Sequence, residues 1–400
     1  MRLFVNALAA SAGGGLTYIY NVIPELASRP DLHITVAATS GVGEQFKNLA
    51  NVQVVQLEVQ VASRFWYEQS KLPGIIRRAR ADVLLSAGNI ALRNSPVPQI
   101  LLSRNSLYTS PAFYRDLFRR GEYRTWLGTR VRGVFARKSI DWAQVTVAPT
   151  EAFAIELRRW TRSDRLVAIH HGFDREGFTR DLTPLAASVQ EKLRAADGAI
   201  KLLFVSHYNY YRNFETLIRA LPILRERLAR RTIKLLLTCR LSEGANPGPY
   251  RPEAAAKLVR DLGVADMIVE LGTVAHDQLH QLYRLADLYV TPAYAETFAH
   301  PLVEAMSSGV PVIASDLPVH QEICGDAALY FHRFSAVELA DHVADLANSP
   351  KLAAQLSEAG LARAKVFSWR KHVDELLLIA RSLVIIHNHD LTGYCSECSR

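Results

Sequence analysis

The chain has 400 residues, of which 49% are apolar and 22% charged, and its formal net charge is +8 at pH 7. One hydrophobic core rarely serves so long a chain, so we expect two domains in a globular protein with neither disordered nor fibrous composition. No run of about 18 apolar residues occurs, so we expect no membrane-spanning segment and a cytoplasmic protein.

The amino-terminal half alternates short apolar runs with helical patterns. Residues 1–15 lead into a glycine loop rather than a cleavage site, so we interpret them as a first core strand and not as a secretory signal. Helical patterns lie between the runs, for example at 15–28 and 66–80. Runs rich in branched residues predict buried parallel strands at 2–8, 32–38, 52–59, 82–87, 98–103, 145–149 and 166–172.

A polar stretch without clear periodicity precedes a second series of the same kind. Helical patterns such as 213–228 and 276–286 separate its runs. The runs predict six further strands at 200–206, 233–239, 267–272, 288–293, 311–315 and 328–331. The pattern predicts the α/β class, with two Rossmann-like, doubly wound parallel-sheet domains facing across a cleft. The predicted parts are a first domain at 1–180, a linker at 181–198, a second domain at 199–366, a helix at 367–384 and a tail at 385–400.

Four cysteines are too few for a disulfide framework in a chain of this length. Cys239 and Cys324 adjoin apolar runs, so we expect both to be small core residues. Cys395 and Cys398 form a single CxxC near His387 and His389. That tail is either a zinc site or a frayed or cloning-derived chain end, and we favour the second interpretation.

Positive charge is concentrated between Arg104 and Lys138, where nine basic residues accompany only Asp116 and Glu122. Apolar residues recur there at roughly helical spacing, so the stretch is a basic amphipathic segment. It is either a solvated helix face or a surface for anionic phospholipid or a diphosphate-bearing lipid. Nucleic acid is not expected as a partner, because no binding motif accompanies the charge.

The strongest functional signal is the segment at 291–315, TPAYAETFAHPLVEAMSSGVPVIAS. Pro301 suits the start of a helix, because its missing N–H would be unpaired there in any case. The amides of Leu302 and Val303 would then be free, and the helix end carries partial positive charge, which together predict a phosphate site.

Two glutamates flank this predicted phosphate site. Glu304 would accept hydrogen bonds from ribose hydroxyls, and Glu296 would approach from the loop side. The alternative for Glu304 is a charge that complements the helix dipole, and for Glu296 a solvated loop residue.

The segment at 291–315 resembles the donor-binding signature of the family-4 retaining glycosyltransferases, glycosyl transferases group 1. That signature has two glutamates separated by seven residues, then Glu-Ala-Met, a glycine and Pro-Val-Ile-Ala-Ser. Three other segments resemble parts of the family sequence and follow one another along the chain as they do in the family: 169–178, 272–292 and 367–383. The resemblance implies a GT-B fold, with an acceptor domain first, a nucleotide-sugar domain second and the helix at 367–384 returning to the first domain.

The resemblance also implies which residues act. The glycine loop at 13–15 would face the donor diphosphate from the first domain, although a tight structural turn is the alternative. The implied catalytic residues are Glu296, Arg212, His207 and Asn105. The implied donor-binding residues are Gly14, Gly15, Arg212, Val274, Glu296, Phe298, Ala299, His300, Pro301, Leu302, Val303 and Glu304.

The sequence departs from the family pattern at several of these positions. His207 stands where the family usually has arginine, and Arg212 replaces a lysine that contacts the diphosphate. Thr297 and Ala299 stand where glycines are common. Arg104 and Asn105 follow a strand after which many relatives carry histidine. The donor-sugar pocket is therefore expected to be reshaped, and loss of activity is a possible consequence.

The implied activity is retaining transfer of a sugar from a UDP- or GDP-linked donor to a glycan or lipid-linked acceptor, in cell-surface polysaccharide or glycoconjugate synthesis. No Asp-x-Asp occurs, so we expect no metal, and no cofactor other than the nucleotide-sugar co-substrate. Contact with the inner face of the membrane through residues 104–138 is a further expectation. The alternatives are a GT-B phosphorylase or epimerase, and a nucleotide-sugar-binding protein whose catalysis is lost or altered.

Overall fold

A computed structural model of the protein describes residues 1–10, 13–60, 63–246 and 248–397, with the backbone alone for 390–397. The strands are β1 (Arg2–Asn6), β2 (His33–Ala38), β3 (Val52–Gln56), β4 (Val83–Ser86), β5 (Gln99–Leu102), β6 (Val145–Ala148), β7 (Leu166–Ala168), β8 (Ile200–Phe204), β9 (Ile233–Leu237), β10 (Ile268–Glu270), β11 (Leu288–Thr291), β12 (Val312–Ser315) and β13 (Ala328–Phe331). All thirteen predicted strands are confirmed. Each lies within the apolar run that predicted it, and the runs are apolar because both faces of a parallel sheet are covered.

The helices lie between and after these strands. They are α1 (Gly13–Ala27), α2 (Ser40–Gly43), α3 (Arg64–Arg78), α4 (Pro111–Arg119), α5 (Tyr123–Trp142), α6 (Glu151–Thr161), α7 (Arg175–Phe178), α8 (Ala187–Arg194), α9 (Phe214–Arg227), α10 (Glu253–Asp261), α11 (Leu279–Leu285), α12 (His300–Ser307), α13 (Pro318–Cys324), α14 (Ala336–Asn348), α15 (Pro350–Ala364) and α16 (Trp369–Glu397). No helix in the described parts of the chain is long and apolar enough to cross a membrane.

The chain forms two compact units, each built around one parallel sheet. The first contains residues 1–109, 127–172 and 367–400, and its strand order is β3-β2-β1-β4-β5-β6-β7. The second contains residues 110–126 and 173–366, with the order β10-β9-β8-β11-β12-β13. In both sheets every pairing is parallel. The chain adds strands first on one side of β1 or β8 and then on the other side, which is the doubly wound arrangement.

Two segments differ from the division expected from sequence. Residues 110–126, which precede the predicted boundary at 180, pack within the second unit. The predicted linker contains α8, in which Val189 is buried and the Lys192 ammonium donates to the Glu270 carbonyl at 2.8 Å. A short helix with one apolar side gives little periodic signal, so its sequence looked unpatterned.

The carboxyl-terminal helix α16 packs into the core of the first unit. Trp369, Val373 and Leu376 are buried in the same apolar cluster as β1 and α1. A Cβ atom on Gly172 would lie 2.0 Å from the Trp369 backbone nitrogen, so only glycine permits this close approach. Cys239 and Cys324 are buried, as predicted, whereas the side chains of Cys395 and Cys398 lie outside the described residues.

A buried histidine joins α16 to α1 in this core. His372 is 1% exposed, its Nδ1 lies 2.9 Å from the His170 carbonyl oxygen, and its Nε2 lies 2.9 Å from the Tyr18 hydroxyl. The carbonyl can only accept, so Nδ1 carries the proton and Nε2 accepts from the tyrosine. Burial lowers the pKa of His372 to about 4, which keeps the ring neutral.

We expect acidification from pH 6.5 to pH 4.5 to destabilise the first unit through His372. The unfolded chain binds a proton near the ordinary histidine pKa, whereas the folded chain resists it until about pH 4. The contribution, on the order of 3 kcal/mol, is present above pH 6.5 and is lost as the pH falls. Urea-unfolding midpoints of His372→Gln should therefore depend less on pH than those of the wild type. The exposed His33, replaced by Gln, is the control, and equal pH slopes in all three proteins would contradict the prediction.

Candidate functional site

The strand order of the second sheet determines where a ligand can enter. It reverses between β8 and β11, so the helices that follow these strands lie on opposite faces of the sheet. The loops after the two strands, at 205–213 and 292–299, therefore diverge and leave a crevice at the carboxyl ends. Both loops carry residues that the sequence singled out.

An ion pair connects these two loops. Arg212 Nη1 lies 2.5 Å from Glu296 Oε2, and the Thr297 amide donates to the other carboxylate oxygen at 3.0 Å. The side chains of Arg212 and Glu296 are 21% and 13% exposed. Burial opposes ionisation of Glu296, but Arg212 and the amide outweigh it and hold the pKa of Glu296 below its ordinary value.

Arg212 retains hydrogen-bonding capacity beyond this pair. Its Nε is buried without a hydrogen-bond partner, and its guanidinium carbon lies 5.3 Å from the centre of the Tyr211 ring. Burial opposes its charge, yet Glu296 raises the pKa of Arg212, so the guanidinium stays protonated. A planar cation with a free donor at a sheet crevice is suited to binding an anionic group.

The helix α12 follows the loop at 292–299 and begins beside the crevice. Ala299 precedes it with φ +64°, a left-handed conformation that glycine adopts most easily, and Pro301 occupies the second helical position. The Leu302 amide donates to the Ala299 carbonyl at 3.0 Å, so the prediction that this amide is free was wrong. The left-handed residue turns its carbonyl back toward the first helical turn, which uses that donor.

Glu304 lies in α12 and is 4% exposed. The Tyr283 hydroxyl donates to its Oε2 at 2.9 Å, and His276 Nε2 lies 3.3 Å from its Oε1. The hydrogen bond that His276 donates to the Glu304 carboxylate raises the pKa of His276. Sequence reasoning missed both partners, although they belong to the segment 272–292 that resembles the family. Each carboxylate oxygen has two lone pairs, so Glu304 can accept further hydrogen bonds.

The remaining predicted residues of the second unit differ in exposure. His207 lies three residues after β8 and is exposed, and Val274 is half-buried. Phe298 is buried against His300, with ring centres 4.7 Å apart. Val303 is fully buried in α12. The structure thus places most of the donor-binding set within two loops and one helix.

The first unit contains a corresponding loop after β1. Gly13 begins α1 with φ +56°, and Gly14 and Gly15 follow in its first turn. Arg104, after β5, donates to the carbonyl oxygens of Gly14 at 2.9 Å and Ala87 at 2.6 Å. Burial lowers the pKa of Arg104 to about 10. The sequence analysis counted Arg104 only in the basic segment and as a departure from the family pattern, whereas in the structure it holds the glycine turn.

Neighbouring residues of the first unit have structural partners. Asn105 Oδ1 accepts from the Leu107 amide at 3.0 Å and so caps a short turn. His171 is buried and stacks on Trp369 with ring centres 5.6 Å apart. A catalytic role for Asn105 stays a prediction.

Comparison with known proteins assigns the family. Residues 12–176 match Glycosyltransferase Family 4, and residues 187–363 match Glycosyl transferases group 1. This chain belongs to the family-4 glycosyltransferases. Residues 177–186, which precede β8, separate the two matched ranges.

Relatives and solved structures of this family-4 glycosyltransferase agree with that assignment. The D-inositol 3-phosphate glycosyltransferase of Corynebacterium aurimucosum is 27% identical over 253 residues, which are 62% of this chain and 59% of that protein. The chain thus spans little more than half of that relative.

Two solved structures share the fold over nearly the whole chain. Sucrose-phosphate synthase from Thermosynechococcus elongatus has a TM-score of 0.73 and 17% identity, covering 96% of this chain and 99% of that one. Anabaena HepE in complex with UDP-glucose has a TM-score of 0.71 and 16% identity, covering 96% and 100%. At these identities the likeness establishes the GT-B fold.

Proposed function

We propose that the protein transfers a sugar from a UDP- or GDP-linked donor to an acceptor with retention of anomeric configuration. The observation that carries the proposal is the Arg212–Glu296 ion pair at the β8–β11 reversal, with Glu296 in the loop that leads into α12, the helix that carries Glu304. Arg212 would bind the donor diphosphate, and Glu304 would bind the ribose. The Anabaena structure, which is a complex with UDP-glucose, supports a UDP-sugar as the first donor to test.

The chemistry would depend on neutralising the leaving diphosphate. We propose that Arg212 and the positive end of α12 do so without a metal or another cofactor. The acceptor would attack from the same face through an oxocarbenium-like ion pair, and the leaving phosphate would accept the acceptor's proton. The absence of an Asp-x-Asp motif supports the proposed metal independence.

The acceptor is proposed to be a glycan or a lipid-linked molecule. The Corynebacterium relative, a D-inositol 3-phosphate glycosyltransferase, adds D-inositol 3-phosphate to the acceptors that should be tested. A second candidate function is nucleotide-sugar binding without turnover. The methyl group of Ala299, placed in a left-handed position that relatives commonly fill with glycine, favours that candidate because it occupies space beside the predicted sugar pocket.

Turnover of UDP- and GDP-sugars, measured by mass spectrometry with acceptor mixtures that include D-inositol 3-phosphate, tests the proposal. We expect release of one nucleoside diphosphate with one glycosylated product, at rates that excess EDTA leaves unchanged. An absolute requirement for manganese or magnesium would contradict the metal-free mechanism. Tight donor binding without product from any acceptor would favour the binding function.

Glu304→Gln should weaken nucleotide binding and leave the fold intact. An amide cannot replace the charged acceptor, so the expected loss is about 1.5–3 kcal/mol, or roughly ten- to a hundredfold in Kd. Calorimetry with UDP and GDP measures this change. Glu358→Gln is the matched control, because Glu358 is exposed in the same unit, on α15. Unchanged affinity in Glu304→Gln would remove Glu304 from the site.

We propose that the protein works at the inner face of the membrane, with a docking face on α5. Leu127, Val131 and Val134 are 59%, 49% and 56% exposed on that helix, and Trp66 of α3 is 69% exposed. Phe65 of α3 packs against Phe135 of α5, so the two helices adjoin. Exposed apolar side chains among cations suit an anionic bilayer.

The structure changes which cations can contribute to this face. Arg120 is ion-paired with Asp116 and Glu215, and Arg104 is anchored at the glycine loop, so neither is available to lipid. Arg132, Arg137 and Lys138 are exposed on α5, and no acidic residue lies between Glu122 and Asp141. These three form the testable set.

Replacing Arg132, Arg137 and Lys138 with Gln should weaken binding to anionic liposomes. Each basic residue near such a surface contributes about 1 kcal/mol at modest salt, so the loss is roughly a hundredfold. The control replaces Arg77, Arg78 and Arg80, exposed in and just after α3, with Gln, which removes the same charge elsewhere in the unit. Sedimentation with liposomes as salt rises is the measurement. Equal loss in both variants would indicate nonspecific attraction, and no wild-type binding would identify a solvated helix face.

A further inference from the structure

Tyr294 connects three separate segments of the second unit. Its backbone amide donates to the Tyr211 carbonyl at 2.9 Å, and its hydroxyl donates to Asp116 Oδ2 of α4 at 2.7 Å. Tyr211 directly precedes Arg212, and Tyr294 lies two residues before Glu296. One buried residue, through its hydroxyl and its backbone amide, therefore connects α4 to both loops that carry the central ion pair.

Arg120 completes this connection from the end of α4. Its Nε donates to Asp116 Oδ1 at 2.8 Å, and its Nη2 donates to Glu215 Oε1 at 2.8 Å. The buried Tyr208 hydroxyl donates to the same Glu215 oxygen at 3.3 Å. Glu215 lies in the first turn of α9, three residues after Arg212. The loop after β8 is thus held at Tyr208 and at Glu215, on both sides of Arg212.

The environment of Arg120 distinguishes this network from a surface salt bridge. The side chains of Arg120, Asp116 and Glu215 are only 20%, 22% and 11% exposed. The guanidinium carbon lies 4.2 Å from the centre of the Tyr210 ring. Burial opposes the charge, but the two carboxylates raise the pKa of Arg120. Partly desolvated charges with several fixed donors restrict geometry more than exposed pairs do.

We propose that Arg120 and Tyr294 are positioning residues that hold Arg212 and Glu296 in the arrangement that binds a nucleoside diphosphate. The inference rests on the proposed function. Neither residue needs to touch the nucleotide, because Tyr294 acts through Tyr211 and Arg120 acts through Asp116 and Glu215. The segment at 110–126, although it precedes the first unit's last strands in sequence, thereby becomes part of the donor site of the second unit.

Tyr294→Phe is the primary test, because it removes one hydroxyl and keeps the backbone bond to Tyr211. The Kd for UDP or GDP, whichever the wild type binds, should rise about tenfold, because a shift of the loop misplaces Arg212. Tyr330→Phe is the matched control, since it removes the hydroxyl that donates to the Gly325 carbonyl at 2.5 Å in the same unit. The control should lower the thermal midpoint while leaving the Kd unchanged. Arg120→Lys, which keeps the charge but loses the two-pronged donor, should also weaken binding.

A double-mutant cycle separates positioning from general destabilisation. In an Arg212→Gln background, Tyr294→Phe should weaken nucleotide binding no further, because the group it positions is gone. Independent, additive losses would overturn the inference, as would wild-type affinity in both Tyr294→Phe and Arg120→Lys. Failure of the wild type to bind either nucleotide would instead overturn the proposed function.

Discussion

The reversal of strand order at the centre of each parallel sheet is the constraint on which the rest of the structure depends. Right-handed crossovers on either side of β8 carry the chain to opposite faces, so the loops after β8 and β11 leave the sheet in different directions, and the Arg212–Glu296 ion pair and the Tyr294–Tyr211 backbone hydrogen bond connect them. The crevice between them is a product of topology rather than of any particular side chain.

The partly buried charged side chains near this crevice are tolerated because each is ion-paired. Arg212 and Glu296 would be costly to bury singly, and the same holds for Arg120 with Asp116 and Glu215. The two clusters are joined through tyrosines whose rings are buried and whose hydroxyls reach the carboxylates. Such groups fix geometry at a modest net gain in stability, which suits the anion-binding role proposed for Arg212.

In the first unit, buried contacts attach the carboxyl-terminal helix α16 to the core around β1 and α1. Gly172 lets the chain approach Trp369 closely, and His372 bonds to both the His170 carbonyl and the Tyr18 hydroxyl. These contacts lie beside α1, whose first turn is the glycine loop that Arg104 anchors. The helix that ends the chain is therefore part of the scaffold of the loop near its beginning.

The sequence by itself determined the thirteen strands, the doubly wound class and the segment around α12, because apolar periodicity and proline position are local properties. It could not determine that the Leu302 amide is used by Ala299, since that depends on one left-handed residue. Only the tertiary structure placed residues 110–126 in the second unit and brought Tyr283 and His276 to Glu304. Contacts between side chains far apart in sequence leave no periodic signal, because they are fixed by how complete elements pack.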